Sequence, residues 1–151
     1  PDCNLYIAGS GPLAHELKDQ ITATHLDDVV TLLGDVPHLE LMKYKRAADC
    51  FVLNTGYEGF SHHLLEALAM GIPVVTTAVG GNTELIQHNT TGMLVGYNDG
   101  VAFEQAIEEV LSHLDRREQM AEEGRKFAES FTVNRMVNET LAVFKEIKGK
   151  G

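Results

Sequence analysis

Basic side chains are scarce in this chain: 12 Lys and Arg stand against 22 Asp and Glu, for a net charge of −10. Binding a nucleic-acid backbone needs clustered Lys and Arg, so nucleic acid is excluded as a main partner. An anionic ligand would have to be held by local donors, not by the overall field. Long apolar runs are missing as well. No stretch approaches the ~20 residues that a membrane span requires, and no basic-then-apolar leader opens the sequence, so the expected location is the cytoplasm. Cysteine is limited to Cys3 and Cys50, each at the head of an apolar run, where reduced, buried thiols are expected in place of a disulfide framework. Neither an Asp-x-Asp motif nor a His/Asp cluster offers a metal site. Without a secretion signal, the glycosylation sequons at Asn89 and Asn138 are taken as chance. Repeats, low-complexity tracts and linkers are absent too, so residues 1–151 read as one domain, long enough to bury a core.

What is present is a regular alternation. Short runs rich in Val, Leu and Ile at Leu5–Ala8, Val29–Leu33, Cys50–Leu53, Val74–Thr77 and Met93–Val95 read as strands covered on both faces. Between them, helices are expected at about Leu13–Thr24, Glu40–Ala47, His62–Met70 and Asn82–Gln87. This is the pattern of an α/β fold, a doubly wound parallel sheet with helices on both faces. After Asp99, three sets at helical spacing (from Phe103 to Leu114, Met120 to Ala128, Met136 to Ile147) predict C-terminal helices packed on the sheet or its neighbour.

The most informative stretch is Tyr57–Val75. It places Glu58 and Glu66 across a loop-to-helix junction with seven residues between them, and then runs through Met70-Gly71-Ile72-Pro73 into an apolar strand. Gly59 can take backbone angles barred to other residues, and Ser61 is a candidate N-cap. The free N–H groups of the helix start and its dipole favour an anion in front of them. His62 is an extra phosphate donor if protonated, although successive helical residues point about 100° apart, so His62 and His63 do not make a metal site. Glu66, four residues after His62, shares a face with it and can accept hydrogen bonds from a hydroxylated ligand. A carboxylate on each side of an anion-ready helix end suggests a phosphorylated, polyhydroxylated ligand such as a sugar nucleotide.

Two other turns carry signals. Gly80 and Gly81 close the Val74–Val79 segment, and Asn82 or Thr83 can cap the next helix. Gly9-Ser10-Gly11-Pro12-Leu13-Ala14 satisfies the loose dinucleotide fingerprint after a strand. Its expected ribose-binding acid is misplaced, however, since Asp27 and Asp28 precede the next strand and Asp35 follows it too late.

Taken together, Glu58 to Glu66, then Met70-Gly71-Ile72-Pro73-Val74-Val75 and Gly80-Gly81-Asn82-Thr83-Glu84, resemble the donor-binding, C-terminal half of retaining family 4 glycosyltransferases of GT-B fold. The resemblance implies a Rossmann-like half, with Glu58 at the reacting centre of the donor sugar and Glu66 on the ribose. Gly59, Phe60, Ser61 and His62 would meet the phosphates or sugar. Gly9, Gly11, Gly80 and Gly81 would line the donor cleft, and Gly34 would lie near the nucleobase. It also implies an earlier strand and helix carrying a diphosphate-gripping Arg and Lys, and an N-terminal acceptor domain. Neither has a counterpart here, so the chain is expected to be a fragment, inactive in isolation.

On this reading the parent enzyme moves a sugar from a UDP- or GDP-type donor to an acceptor hydroxyl with retention. Cell-surface polysaccharide or glycolipid synthesis is the implied setting. No cofactor and no metal are expected, and peripheral membrane association would come through the missing domain. The alternatives are a sugar-nucleotide epimerase of similar fold and a non-catalytic nucleotide-binding module.

Overall fold

The computed structural model describes residues 3–149. Its elements run β1 (Leu5–Ala8), α1 (Ala14–Ala23), β2 (Val30–Gly34), α2 (His38–Ala47), β3 (Phe51–Leu53), α3 (His62–Ala69), β4 (Val74–Thr77), α4 (Asn82–Leu85), β5 (Gly92–Val95), α5 (Gly100–Ser112), α6 (Leu114–Ala128) and α7 (Val133–Gly149). All strand pairs are parallel, as the α/β pattern requires. Their hydrogen bonding forms two sheets, β1-β2 and β3-β4-β5, and the chain divides into two compact units between Ala47 and Ala48.

In the first unit, Leu5, Tyr6 and Ile7 pair with Val30, Thr31 and Leu32. The register then slips so that Ala8 meets Gly34. The expectation that every strand is covered on both faces fails here. Leu5 is 46% and Tyr6 54% exposed, and α1 buries no residue. Apolar content sets a strand's preference for burial, and whether anything covers it is decided by tertiary packing. Cys3, expected to be buried, is exposed, and neither cysteine is in a disulfide.

The second unit holds the core. β4 lies between β3 and β5 and is buried along its whole length. Leu64, Ala67 and Leu68 of α3 pack with Val74, Leu85 and Ile86 in one cluster, and Val75, Met93, Val95, Ala106, Val110 and Met120 form the other. Helix α3 stops because Gly71 takes φ +69°, so that its N–H reaches Leu68 O at 2.8 Å and the Ile72 N–H reaches Ala67 O at 2.9 Å. This pair of bonds is a Schellman cap, and Ile72 and Ala67 share the core cluster, as such caps favour. Helix α6 lies close to α3 because it presents Gly124, where an added Cβ would stand 3.0 Å from Leu68 Cδ2. Asp99 caps α5 by accepting from the Ala102 N–H at 3.0 Å. Helices α5 and α6 pack largely as their periodicity predicts, through Phe103, Ile107, Val110 and Met120, while Leu114 stays exposed. Helix α7 does not: it buries no residue, and Met136, Leu141, Phe144 and Ile147 along it stay exposed. Among the described residues no helix is long and apolar enough to cross a membrane.

Candidate functional site

The C-terminal ends of parallel strands are where α/β folds place ligands, because loops there meet helix N-termini. In the second unit this edge is organised by threonines. The Thr77 hydroxyl at the end of β4 donates to Thr55 O at 2.6 Å and accepts the Thr55 N–H at 3.2 Å. Thr55 in turn holds the next turn, its hydroxyl donating to Tyr57 O at 2.7 Å and accepting the Tyr57 N–H at 3.3 Å. One residue further on, the Glu58 carbonyl accepts the Gly81 N–H at 3.2 Å. The loop carrying Glu58 is thus laced to β4 and to the turn after it.

Gly80 and Gly81 make room for the backbone of a neighbouring loop. A Cβ on Gly80 would collide with Glu58 O, and a Cβ on Gly81 would collide with Gly59 O, stand 2.8 Å from Gly59 C and 3.3 Å from Phe60 Cα. Their missing side chains admit the backbone of residues 58–60. Gly80 also takes φ +47°, which favours glycine. Gly59, by contrast, is not among the positive-φ glycines, and a Cβ there would meet nothing within 4 Å. The caps expected from Asn82 and Thr83 do not form as such. Gly81 takes the N-cap position of α4 with no side-chain capping bond. Asn82 is instead fully buried, its Nδ2 donating to Thr76 Oγ1 and Thr77 O, each at 3.0 Å. Its Oδ1 has no partner among the described residues. Thr76 passes the chain on by donating to Leu53 O at 2.8 Å.

Ser61 does stand at the N-cap of α3, in extended backbone and buried, but its hydroxyl makes no capping bond. The first N–H groups of α3 have no acceptor within the helix. Glu58 and Glu66 are both half-buried. His63 meets Glu66, with Nδ1 3.4 Å from Oε2. His62 turns to the Phe60 ring, edge-on at 5.7 Å between centroids.

In the first unit, Gly9 has φ +131° and Gly34 φ +64°, and the Gly9 N–H donates to Gly34 O at 2.8 Å. The two turns predicted from sequence therefore meet. Gly11 starts the turn into α1, its carbonyl accepting the Ala14 N–H at 3.1 Å. Because β2 extends to Gly34, Asp35 stands directly at the strand end, where it accepts from the Ser10 hydroxyl at 2.7 Å.

A cleft of about 250 Å³ opens in the second unit between Asn54, Gly96, Asn98, Asp99, Gly100 and Phe103, and Glu58 and Glu66 are not part of its wall. Among the described residues no group of three or more His, Cys, Asp or Glu is arranged to hold a metal ion. Sequence reasoning missed Thr55, Thr76, Thr77 and the buried Asn82. Threonines inside β-branched runs read as strand formers, and nothing local marks them as loop anchors.

A profile of the family described as "Glycosyl transferases group 1" matches residues 1–127. The amylovoran biosynthesis glycosyltransferase AmsK of Erwinia amylovora is 36% identical over 118 residues, which is 74% of this chain and 28% of that protein. The structure of Anabaena Alr3699/HepE in complex with UDP superposes with a TM-score of 0.82 at 25% identity, over 95% of this chain and 42% of that one. The C-terminal domain of the group 1 family glycosyl transferase LpcC from Francisella tularensis superposes with a TM-score of 0.71 at 25% identity, over 77% of this chain and 60% of that one. The chain spans between 26% and 41% of the curated relatives it matches.

Proposed function

The chain belongs to the group 1 glycosyl transferases and has the fold of their C-terminal domain, and from that premise we propose that it holds a nucleoside diphosphate sugar for transfer to an acceptor hydroxyl. The observation that carries this reading is the loop of residues 58–61, which runs from a half-buried carboxylate into the N-terminus of α3 and is clamped from below by the Gly80-Gly81 turn. Glu58 orients the donor sugar. The α3 N–H groups, with Gly59, Phe60, Ser61 and His62 around them, receive the diphosphate. Glu66 accepts from the ribose hydroxyls. The UDP complex of Anabaena Alr3699/HepE supports a uridine donor.

In the reaction, the bond between the anomeric carbon and the diphosphate breaks and the diphosphate leaves with the electron pair. The acceptor oxygen bonds to the same face of the sugar and passes its proton to the departing diphosphate. Negative charge therefore grows on the diphosphate as positive character grows on the ring. Preorganised N–H groups at the α3 terminus stabilise the first, and a fixed Glu58 holds the ring for the second. The 151 residues serve as the donor domain of a longer enzyme whose N-terminal domain supplies the acceptor site and any peripheral membrane contact. Biosynthesis of a cell-surface polysaccharide is the setting that AmsK supports.

Calorimetric titration of the chain with UDP and GDP, beside Glu66→Ala, tests this. Weak binding of one diphosphate, lost in the variant, is expected. Equal binding by both proteins removes Glu66 from the ribose, and binding of neither diphosphate overturns the donor reading.

A further inference from the structure

Phe60 lies inside the proposed donor loop, between Glu58 and the start of α3, yet it belongs to neither core cluster and is 41% exposed. A large ring so placed needs something to set its position. Its ring meets Phe131, 71 residues away in the α6–α7 connection, at 5.7 Å between centroids and an angle of 46°. Phe131 is itself tied down. It packs against the main core cluster, meets Phe127 of α6 at 5.3 Å in an edge contact, and carries the Arg135 guanidinium 5.6 Å from its ring centre. Arg135 is held in place by bonds to Ser130 O at 3.2 Å and Glu139 Oε1 at 2.8 Å. A relay of rings thus runs from the core to the loop, which it enters two residues after Glu58.

We propose that Phe131 is a positioning residue for the donor's sugar moiety: by its tilted packing on Phe60 it sets the 58–60 loop, and with it Glu58, against the α3 terminus. This rests on the donor-binding reading above. An aromatic pair is worth a factor of roughly 2 to 12 in an equilibrium beyond its burial, so its loss should cost nucleotide-sugar affinity by a factor in that range. The nucleotide itself, gripped by α3 N–H groups and Glu66, should be nearly unaffected.

The test uses the 151-residue chain with Phe131→Leu, which keeps apolar volume against the core but removes the ring, and Phe131→Tyr, which restores it. Each is titrated with UDP, UDP-glucose, GDP and GDP-mannose. The expected result is that Phe131→Leu loses roughly 3- to 10-fold for the nucleotide sugar that binds, stays within twofold for the matching diphosphate, and recovers in Phe131→Tyr. Equal weakening toward sugar and diphosphate, no weakening at all, or failure of the tyrosine to recover overturns the assignment. The two readings separate cleanly. A wild-type chain that binds none of the four ligands overturns the donor reading and the proposal with it. A silent Glu66→Ala in a chain that binds removes only the ribose role and leaves the Phe131 comparison decisive.

Discussion

Adding a single methyl group at Gly81 probes the clamp beneath the proposed site. Gly81 has φ −66° and ψ −9°, an ordinary helical conformation, so the backbone accepts alanine. By the usual unfolded-state argument Gly81→Ala would even stabilise the chain, by about 0.4–1 kcal/mol. The obstacle is steric. The new Cβ falls on Gly59 O, 2.8 Å from Gly59 C and 3.3 Å from Phe60 Cα, all of them main-chain atoms that cannot rotate away. The 58–60 segment must move, which costs about 1–3 kcal/mol as overpacking and puts at risk the Gly81–Glu58 hydrogen bond, worth about 1 kcal/mol. The net expectation is a loss of about 2 kcal/mol, seen as a fall in Tm of roughly 4–8 °C for a chain of this size. Gly59→Ala is the matched control, because its Cβ enters open space, and it should leave stability unchanged or raise it by up to about 1 kcal/mol. Thermal melts followed by circular dichroism compare the two directly. If Gly81→Ala melts with the wild type, or Gly59→Ala falls as far, the loop does not rest on the Gly80-Gly81 turn as described.

Thr77→Val keeps the shape but strips both hydrogen bonds to Thr55, and should cost about 1–3 kcal/mol in urea unfolding, whereas Thr77→Ser should cost less than Val does; the reverse order would remove the hydroxyl from the loop's support. Leu68→Ala empties a fully buried site beside Gly124 and should cost about 2–5 kcal/mol by the same measurement. Burial pushes the Cys50 thiol up from 9.0 to about 12, partly offset by Arg117, while Cys3 is exposed. With a thiol reagent at pH 8 the folded chain should therefore expose one fast-reacting cysteine, and Cys50 should react only after unfolding. Because the folded value of Cys50 lies above the unfolded one, its share of stability is whole below about pH 9 and is lost as pH rises toward about 12. A stability that holds constant across that window would contradict the burial.

Local pattern carried most of the architecture. Strands and helices are short-range choices, and the β-branched runs and the 3.6-residue periods place most elements to within a few residues, as at β4 and α3. The carboxylate pair and the helix start between them were legible for the same reason, since they lie within nine residues of one another in the chain. What tertiary structure alone decided is which atoms those features lean on. Thr77 reaches back to Thr55, Gly81 yields its side-chain space to Gly59, and Phe60 meets Phe131, all pairings of distant positions that leave no periodic trace. Exposure was decided there too, at Cys3, along β1 and over the apolar face of α7. A sequence records what each residue would prefer to bury, and only the packed chain determines how much surface is available to bury it against.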